Sequence, residues 1–288
     1  MNNLTTINDK NISYIIKVAI CIIVKQENLY IKEFVNYYKE LGIKKIFLYD
    51  NNEINGEYLE EILYSDILNE FVEIINYRGL YKPQKKAYND CYENNQNDFN
   101  WIAFFDVDEF LYLKNNTNII EFLSLSRFEN CSSILINWKY YGDNNLIYYE
   151  PKPIQERFTK PFTFPKELIN NIFYAASKSI VKTGLNISWG HFPHYLNNSN
   201  ICRPDGNIVE KPLSPPHYSI AYIKHYATKS TEEYLIKLLK GTVNSSFKFN
   251  KNNIIFWLKD YYFLFNKITR KKLLYIKRIL KIKIKKNH

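Results

Sequence analysis

The stretch KVAICIIV at residues 17–24 decides the fold, because it is a continuous run of mostly apolar and β-branched side chains. Strands that are buried on both faces of a parallel sheet have this pattern, since neither face meets water. Residues 29–41 (LYIKEFVNYYKEL) follow with apolar positions at helical spacing and end before Gly42, and residues 46–50 (IFLYD) form a second apolar run. This order of strand, helix, glycine and strand predicts a βαβ unit with a right-handed crossover.

The alternation of helix and strand continues up to a fourth predicted strand. We expect a helix near 57–68, a strand at 71–77, a helix near 83–95 and a strand at 101–105. Such alternation is typical of open α/β sheets, in which ligands bind outside the carboxyl ends of the strands. The sequence therefore predicts an α/β fold, with a mostly parallel sheet flanked by helices and a ligand site at one edge.

Beyond the fourth strand the pattern weakens and loops rich in proline and aromatic residues appear. The later elements that we predict are a helix near 118–126, strands at 133–139 and 172–183, a helix at 231–240, and helical segments near 252–265 and 267–285. We divide the chain into a catalytic domain of residues 1–241 and a helical, aromatic and basic extension of residues 242–288.

The positive charge of the chain is confined to its C-terminal end. Residues 261–288 contain ten of the 39 Lys and Arg residues and none of the 29 Asp and Glu residues, so residues 1–260 are neutral overall. The neutral body argues against a nucleic-acid-binding groove across the fold, and the basic residues 261–288 favour attraction of the C-terminal end to an anionic surface. Residues 254–265 add aromatic side chains beside this charge. Aromatic and basic residues together favour the surface of a membrane, so we predict that residues 254–286 make peripheral contact with an anionic membrane. The alternative is that 254–265 packs on the catalytic domain and the lysines are solvated.

Cysteine usage and the N-terminus bear on location. The four cysteines have no CxxC spacing and are too few to staple a chain of 288 residues, so we expect reduced, mostly buried thiols: Cys21, Cys91, Cys131 and Cys202. Residues 1–11 are polar and do not have the pattern of a secretory signal peptide. These features predict a cytoplasmic protein, with peripheral attachment to the inner face of the membrane as an option.

Residues 104–110 (FFDVDEF) carry the strongest chemical pattern. On an extended chain Asp106 and Asp108 lie on one side, where both carboxylates can meet a hard cation that bridges two phosphate oxygens. Enzymes that break a nucleoside diphosphate–sugar bond need such a cation, because the leaving group gains negative charge. The alternative is an acidic turn. The position directly after a buried strand favours a metal site.

The loops after the first two strands are candidates for binding the donor nucleoside. Lys25 and Glu27 follow the first strand, and Asp50 ends the second, where its carboxylate can accept from an imide or a ribose hydroxyl. Ordinary turn chemistry is the alternative. For Asp50 the two interpretations are equally good, and for Asn51 and Asn52 turn chemistry is preferred.

Four segments together resemble the glycosyltransferase family 2 relatives that include the family 92 (DUF23-like) enzymes. The segments are VKQENLYIKEFVNYYKELGIKKIFLYDNN (24–52), PQKKAYNDCY (83–92), WIAFFDVDEFL (101–111) and IKHYATKSTEEYLIKLLKG (223–241). The resemblance implies a GT-A fold, a nucleotide-sugar donor, a divalent metal (Mn²⁺ or Mg²⁺) at the DxD motif, and inversion at the anomeric carbon. We expect a UDP-sugar as donor and a glycan or lipid-linked glycan as acceptor.

The resemblance also assigns roles to individual residues. It implies Glu27 and Asp50 near the nucleoside, Gln84 and Asn89 on a helix facing the donor, and Asp106 and Asp108 at the metal. Its W-x-x-F/Y-G element corresponds to residues 138–142 and a basic aromatic element to residues 156–158. The small residues that often follow the glycine are replaced by Asp143-Asn144-Asn145, so we expect a different acceptor side of the pocket.

A histidine and a helix N-terminus complete the predicted site. GT-A enzymes often add a C-terminal histidine to the metal shell, and His225 is our choice, although a loop histidine bonded to backbone is the alternative for His194 and His217. Lys229 and Ser230 stand at the start of the helix 231–240, where exposed N–H groups favour a diphosphate. Simple capping is the alternative there, and both uses can coexist.

The sequence offers two candidates for the catalytic base. Inverting transfer needs a carboxylate within reach of the acceptor hydroxyl, and Glu109 and Glu156 are the candidates. On an extended chain Glu109 points away from the two aspartates, which favours Glu156.

Two other function classes remain as alternatives. A DxD after a strand also begins phosphohydrolase sites, but these need Thr or Val two residues after the second aspartate, on the first strand of the domain. Here that position is Phe110, on the fourth strand. A nucleic-acid-binding protein that uses the basic end is the non-enzymatic alternative, and the neutral body argues against it.

Overall fold

The computed structural model of the 288-residue chain describes residues 16–163, 175–190, 194–197, 200–209, 215–240 and 270–285. The strands of this part are β1 (Val18–Val24), β2 (Lys45–Asp50), β3 (Val72–Asn76), β4 (Trp101–Phe104), β5 (Glu109–Leu113), β6 (Ser133–Tyr140), β7 (Ser177–Lys182), β8 (Ile201–Cys202) and β9 (Ala221–His225). The helices are α1 (Ile31–Glu40), α2 (Tyr64–Leu68), α3 (Gln84–Asn95), α4 (Ile119–Leu123), α5 (Ile154–Arg157), α6 (Thr231–Lys240) and α7 (Arg270–Lys285).

All nine described strands join one sheet, in the order β3-β2-β1-β4-β7-β6-β9-β5, with β8 paired to β6. The first four strands pair in parallel, as the βαβ pattern predicts, and Val24 lies opposite Asp50. The later strands bring antiparallel pairs, because β7 runs against β4 and β6, and β5 runs against β9. The predicted α/β fold is confirmed: β1 to β4 pair with one another only in parallel, whereas the later strands mix these antiparallel pairs with the parallel pairs of β6 with β8 and of β6 with β9.

Strand β1 is buried along its whole length because helices cover both faces of the sheet. Its residues alternate between two hydrophobic clusters, with Val18, Ile20, Ile22 and Val24 on one face and Ala19, Cys21 and Ile23 on the other. The first cluster contains the buried side of α1, and the second contains the buried side of α3. This placement explains why the sequence of β1 has no polar position.

Several element boundaries differ from the prediction. The helix expected near 57–68 is reduced to the single short turn α2. Strands β5, β8 and β9 were not predicted, although β5 begins inside the acidic motif and β9 ends at His225, the histidine proposed as metal ligand. The predicted segment 252–265 lies outside the described residues.

Cys131 and Cys202 form a disulfide, so the prediction of four reduced thiols is wrong for this pair. The parallel pairing of β8 with β6 places Cys202 opposite Ile134, and the two cysteine Cα atoms are 5.7 Å apart. Sequence spacing gives no hint of this contact, because 71 positions separate the two residues. Cys21 and Cys91 are buried free thiols, as predicted. Cytoplasmic location loses its support from fully reduced cysteines and stays a prediction.

The C-terminal helix α7 is attached to the catalytic fold by buried polar contacts. Lys272 is only 1% exposed and donates to the carboxylate of Asp143, which is fully buried in the loop after β6. Tyr275 donates to Glu232 of α6 at 2.9 Å, and its ring packs edge-on against Tyr148 at 5.2 Å. Within the described residues no helix is both long enough and apolar enough to span a bilayer. The proposed boundary at residue 241 stays a prediction, but α7 is held to the domain before it.

We predict that Lys272→Met lowers the free energy of unfolding by about 3–5 kcal/mol, because it removes the ammonium partner from a buried carboxylate. Urea unfolding followed by circular dichroism measures the change. Lys271→Met is the matched control, since its side chain is exposed one position earlier on the same helix and should change stability by less than about 0.5 kcal/mol. Equal losses in the two variants would contradict the docking of α7 through Lys272.

Candidate active site

The acidic motif forms a turn between β4 and β5. The N–H of Glu109 donates to the carbonyl of Asp106 at 3.0 Å, and the carboxylate of Glu109 accepts from the N–H of Asp106 at 2.9 Å. The expectation of an extended chain, with Glu109 opposite the two aspartates, is therefore wrong. The turn sends the carboxylates of Asp106 and Asp108 to different partners and brings Glu109 into the same cluster.

Lys178 on β7 is the partner of the first aspartate. Its Nζ lies 2.7 Å from Oδ2 of Asp106 and 3.7 Å from Oε2 of Glu109, and its side chain is fully buried. Burial opposes the charged form of Lys178, but the two carboxylates raise its pKa above the ordinary value. Burial raises the pKa of Glu109 well above its usual range, against the attraction of Lys178. Sequence reasoning missed Lys178, which lies in an otherwise unremarkable strand.

Asp108 is surrounded by three nitrogen-bearing side chains. Its Oδ2 lies 2.6 Å from Nζ of Lys237 and 3.6 Å from Nζ of Lys229, and its Oδ1 lies 3.7 Å from Nε2 of His225. Burial opposes ionisation, yet the charges of Lys237 and Lys229 hold the pKa of Asp108 well below its usual range. Asp108 is therefore an anion. Lys237 was not predicted from the sequence.

His225 reaches the motif because β9 pairs with β5, where Glu109 lies opposite His225. Its ring packs against Trp138 at 4.3 Å and Tyr140 at 5.1 Å between centroids. Burial lowers the pKa of His225 to about 3, so the imidazole is neutral. Its Nδ1 is buried and has no hydrogen-bond partner among the described residues. A neutral ring of this kind has the electronic state that metal coordination requires.

The cluster fits a divalent cation. Asp108, Glu109 and His225 each offer one ligand atom, and these atoms lie within 4.8 Å of one another. Two carboxylate oxygens and one imidazole nitrogen suit Mn²⁺, and carboxylates also suit Mg²⁺. Oε1 of Glu109 is buried and lacks a hydrogen-bond partner in the described part of the chain. The geometry thus groups two of the three predicted ligands, Asp108 and His225, with Glu109, while Asp106 is bound to Lys178.

The residues at the start of α6 combine capping with cluster contacts. Ser230 and Glu233 form a capping box, in which N–H of Ser230 donates to Glu233 at 3.0 Å and N–H of Glu233 donates to Oγ of Ser230 at 3.3 Å. Lys229 has a left-handed backbone with φ of 53°, and its ammonium lies 4.4 Å from the centre of the Tyr30 ring. The Lys229 side chain is only 5% exposed, and its ammonium lies 3.6 Å from the carboxylate of Asp108.

Glu156 lies on the exposed side of the short helix α5. Its neighbour Arg157 points the other way and forms a buried, bidentate ion pair with Glu233 at 2.8 and 2.9 Å. Among the described residues Glu156 makes no hydrogen bond or ion pair with the acidic cluster. Its role as base stays a prediction.

The residues predicted at the nucleoside lie at the carboxyl ends of β1 and β2. Asp50 is buried, pairs with Arg78 at 2.7 Å and accepts from N–H of Asn52 at 2.9 Å. Lys25 pairs with Glu53 at 2.9 Å. The carbonyl of Glu27 accepts from the N–H of Tyr30 at 2.9 Å and from the N–H of Ile31, the first residue of α1, at 3.0 Å. The Asn52 contact is turn chemistry, as in the alternative interpretation, whereas Arg78 follows β3, and the nucleoside-binding roles of Lys25, Glu27 and Asp50 stay predictions.

The two residues predicted on α3 differ in burial. Gln84 is buried at the first turn and donates to the hydroxyl of Tyr88 at 3.2 Å. Asn89 is half-buried, further along the same helix. Tyr88 packs against Phe104 at the end of β4. This contact places the start of α3 beside the strand that leads into the acidic turn. The donor-binding roles of Gln84 and Asn89 stay predictions.

Comparisons with solved structures find distant similarities. Staphylococcus aureus TarS 1–349 is 12% identical, with 81% of this chain and 67% of that chain covered and a TM-score of 0.42. The mannosyltransferase PcManGT from Pyrobaculum calidifontis, solved with GDP-Man and Mn²⁺, is 10% identical, with 43% and 36% covered and a TM-score of 0.33.

Sequence comparisons are more specific. A glycosyltransferase family 92 protein of Arabidopsis thaliana is 30% identical over 97 residues, which are 33% of this chain and 16% of that protein. One of Ricinus communis is 22% identical over 168 residues, which are 58% of this chain and 28% of that protein. The matches therefore span less than a third of the length of these curated relatives. The model of the family described as Glycosyltransferase family 92 matches residues 16–257, which include the sheet, the acidic turn and α6. This match confirms the family and the enzyme class predicted from the sequence: the chain belongs to glycosyltransferase family 92.

Proposed function

We propose that this protein transfers a sugar from a nucleotide-sugar donor, expected to be a UDP-sugar, to a glycan or lipid-linked glycan, with inversion and with a divalent cation. The observation that carries this proposal is the cluster of Asp108, Glu109 and His225 at the edge of an α/β sheet, with lysines beside it. Carboxylates alone repel a diphosphate. Carboxylates with adjacent ammonium groups can hold a cation and the phosphates that it bridges.

The charges of the site support a need for the cation. The ionisable groups in contact are three carboxylates and three ammonium groups, namely Asp106, Asp108, Glu109, Lys178, Lys229 and Lys237. Burial favours a proton on Glu109, which a bound cation would displace, and with all six groups ionised the cluster is neutral. A dianionic diphosphate would make the buried site negative, and a divalent cation restores neutrality. When bound, the cation would stabilise the leaving diphosphate as a Lewis acid.

The chain's own residues would divide the remaining tasks. Lys229 lies at the positive end of α6, where its ammonium can face phosphate oxygens, while the first N–H groups of the helix already donate to protein acceptors. Glu109 belongs to the buried cluster, and its carboxylate already accepts from Asp106. Glu156 is exposed and can approach an acceptor hydroxyl from solvent, so we retain Glu156 as the proposed base.

The exposed face of α7 supports peripheral contact with an anionic membrane. Leu273 and Leu274 are 45% and 58% exposed, and the neighbouring exposed side chains Lys271, Lys277 and Arg278 are cationic. Apolar and basic residues on one exposed surface favour the interface between water and an anionic bilayer. An acceptor carried by a lipid of that bilayer would then lie at the membrane face that the protein contacts. Membrane contact and a place on the inner face of the membrane belong to this proposal.

We predict that UDP at about 100 times its dissociation constant, measured in saturating Mn²⁺, stabilises the wild-type protein by about 2.7 kcal/mol relative to Mn²⁺ alone, because UDP binds only the folded state. Asp108→Asn should abolish this stabilisation and the transfer activity, since it removes an anionic ligand. Asp98→Asn is the control, because Asp98 is exposed ahead of β4. Differential scanning calorimetry measures the shift. A full response in Asp108→Asn would sink the metal assignment, and a response only to phosphohydrolase substrates would favour that alternative.

Asp106→Asn, like Asp108→Asn, should lose transfer activity, and it also weakens the nearer of two ion pairs of the fully buried Lys178. We expect its free energy of unfolding to fall by about 3 kcal/mol, because an under-compensated buried charge is costly. Denaturant unfolding at fixed pH measures both variants. Unchanged stability with lost activity in Asp106→Asn would show that Lys178 does not depend on this carboxylate.

For the membrane contact, the double variant Lys277→Glu and Arg278→Glu should bind vesicles containing phosphatidylserine more than tenfold more weakly than wild type. Each basic residue near an anionic surface contributes about 1 kcal/mol, and reversal adds repulsion. Lys85→Glu with Lys86→Glu changes two exposed lysines of α3 by the same charge and serves as control. Co-sedimentation measures binding. Equal binding by both double variants would contradict contact through α7.

A further inference from the structure

Lys237 blocks the carboxylate that a cation needs. Its Nζ is 2.6 Å from Oδ2 of Asp108 and 3.2 Å from the carbonyl of Ala227, so its ammonium covers Asp108 from the side of α6. A divalent cation bound to Asp108 would meet this ammonium at close range. Because both are positive and the pocket around Asp108 is buried, the two repel one another strongly.

Of the three lysines in the cluster, Lys237 has the most freedom to leave. The side chains of Lys178 and Lys229 are 0% and 5% exposed, and Lys229 is also held over the ring of Tyr30. The side chain of Lys237 is 34% exposed and projects from the middle of a helix on a long flexible stem. A rotation of this stem moves the ammonium away from Asp108 without moving the backbone of α6.

The diphosphate of a bound donor gives the displaced ammonium a new partner. Asp108 would hold the cation, which would offset the charge of a donor diphosphate, and a diphosphate bound beside Asp108 would lie within the length of one lysine side chain of α6. The ammonium then stays in a negative environment in both states, first beside the carboxylate and afterwards beside the phosphates.

Resting on the proposed function, we infer that Lys237 is a donor-binding residue that occupies Asp108 in the free enzyme and transfers to the donor diphosphate when donor and cation bind. Two consequences follow. The cation alone binds weakly, because it must displace the ammonium of Lys237 from Asp108. The nucleotide strengthens binding of the cation, and by linkage the cation strengthens binding of the nucleotide by the same factor.

Isothermal titration tests this with Mn²⁺ alone, UDP alone, and UDP at saturating Mn²⁺. In Lys237→Met we expect Mn²⁺ alone to bind about tenfold more tightly than in wild type, because its competitor is gone. UDP at saturating Mn²⁺ should bind about tenfold more weakly, because its ammonium partner is gone; both factors lie in the usual range for coupled sites. If Lys237 had only a structural role, Lys237→Met would weaken both the binding of Mn²⁺ alone and the binding of UDP at saturating Mn²⁺.

The matched control is Lys32→Met. Lys32 also forms a 2.6 Å ion pair, with Asp66, and its side chain is 40% exposed, but it lies on α1 away from the cluster. Both affinities should equal those of wild type. Lys237→Gln, which keeps a hydrogen-bonding end without charge, is the second variant and should reproduce the shifts if the methionine variant does not fold.

The outcomes separate this inference from the proposed function. If wild type binds Mn²⁺ and UDP cooperatively and Lys237→Met and Lys237→Gln leave both affinities unchanged, or weaken Mn²⁺ alone, the inference is overturned while the proposed function stands. If wild type binds neither Mn²⁺ nor UDP, the proposed function fails and the inference fails with it.

Discussion

The burial of Asp108 is the constraint on which the arrangement of the site depends. A carboxylate that is about nine-tenths buried must keep positive or hydrogen-bonding partners, because an isolated buried charge is too costly for a marginally stable fold. Its partners come from β9 and from α6, through His225, Lys229 and Lys237. The second half of the chain is thereby fixed to the end of β4, and the sheet acquires a charged pocket instead of an apolar edge.

Most of the contacts that hold these parts of the chain together involve helix α6. Glu233 caps the helix, accepts from the hydroxyl of Tyr30 at 2.8 Å and pairs with Arg157 of α5. Glu232, one residue earlier, accepts from Tyr275 of α7. One turn of helix therefore joins α1, α5 and α7. A displacement of α7 or α5 would move Lys229 and Lys237 relative to the acidic turn, so stability of these contacts and function of the site are linked.

The parts predicted from the sequence are those with local causes. Strands β1 to β4 follow from runs of apolar residues between amphipathic helices, and Asp108 and His225 follow from their positions and from the family resemblance. Lys178 and Lys237 were missed because a lysine on a strand or a helix is usually solvated, and only tertiary contacts show that these two meet carboxylates. The disulfide of Cys131 was missed because it depends on the pairing of β8 with β6.

The prediction that the acidic motif is extended is wrong for a physical reason, and the same reason affects the function of the motif. Period-two geometry holds only while the chain stays extended, and here the buried carboxylate of Glu109 accepts from the N–H of Asp106 and closes a turn. The turn separates the two aspartates, so that Asp106 compensates the buried Lys178 while Asp108 faces the ligands on β9 and α6. The two acidic positions therefore have different roles: Asp106 compensates the buried charge on β7, the strand beside β4, and Asp108 is the carboxylate that we propose for a cation once Lys237 leaves it.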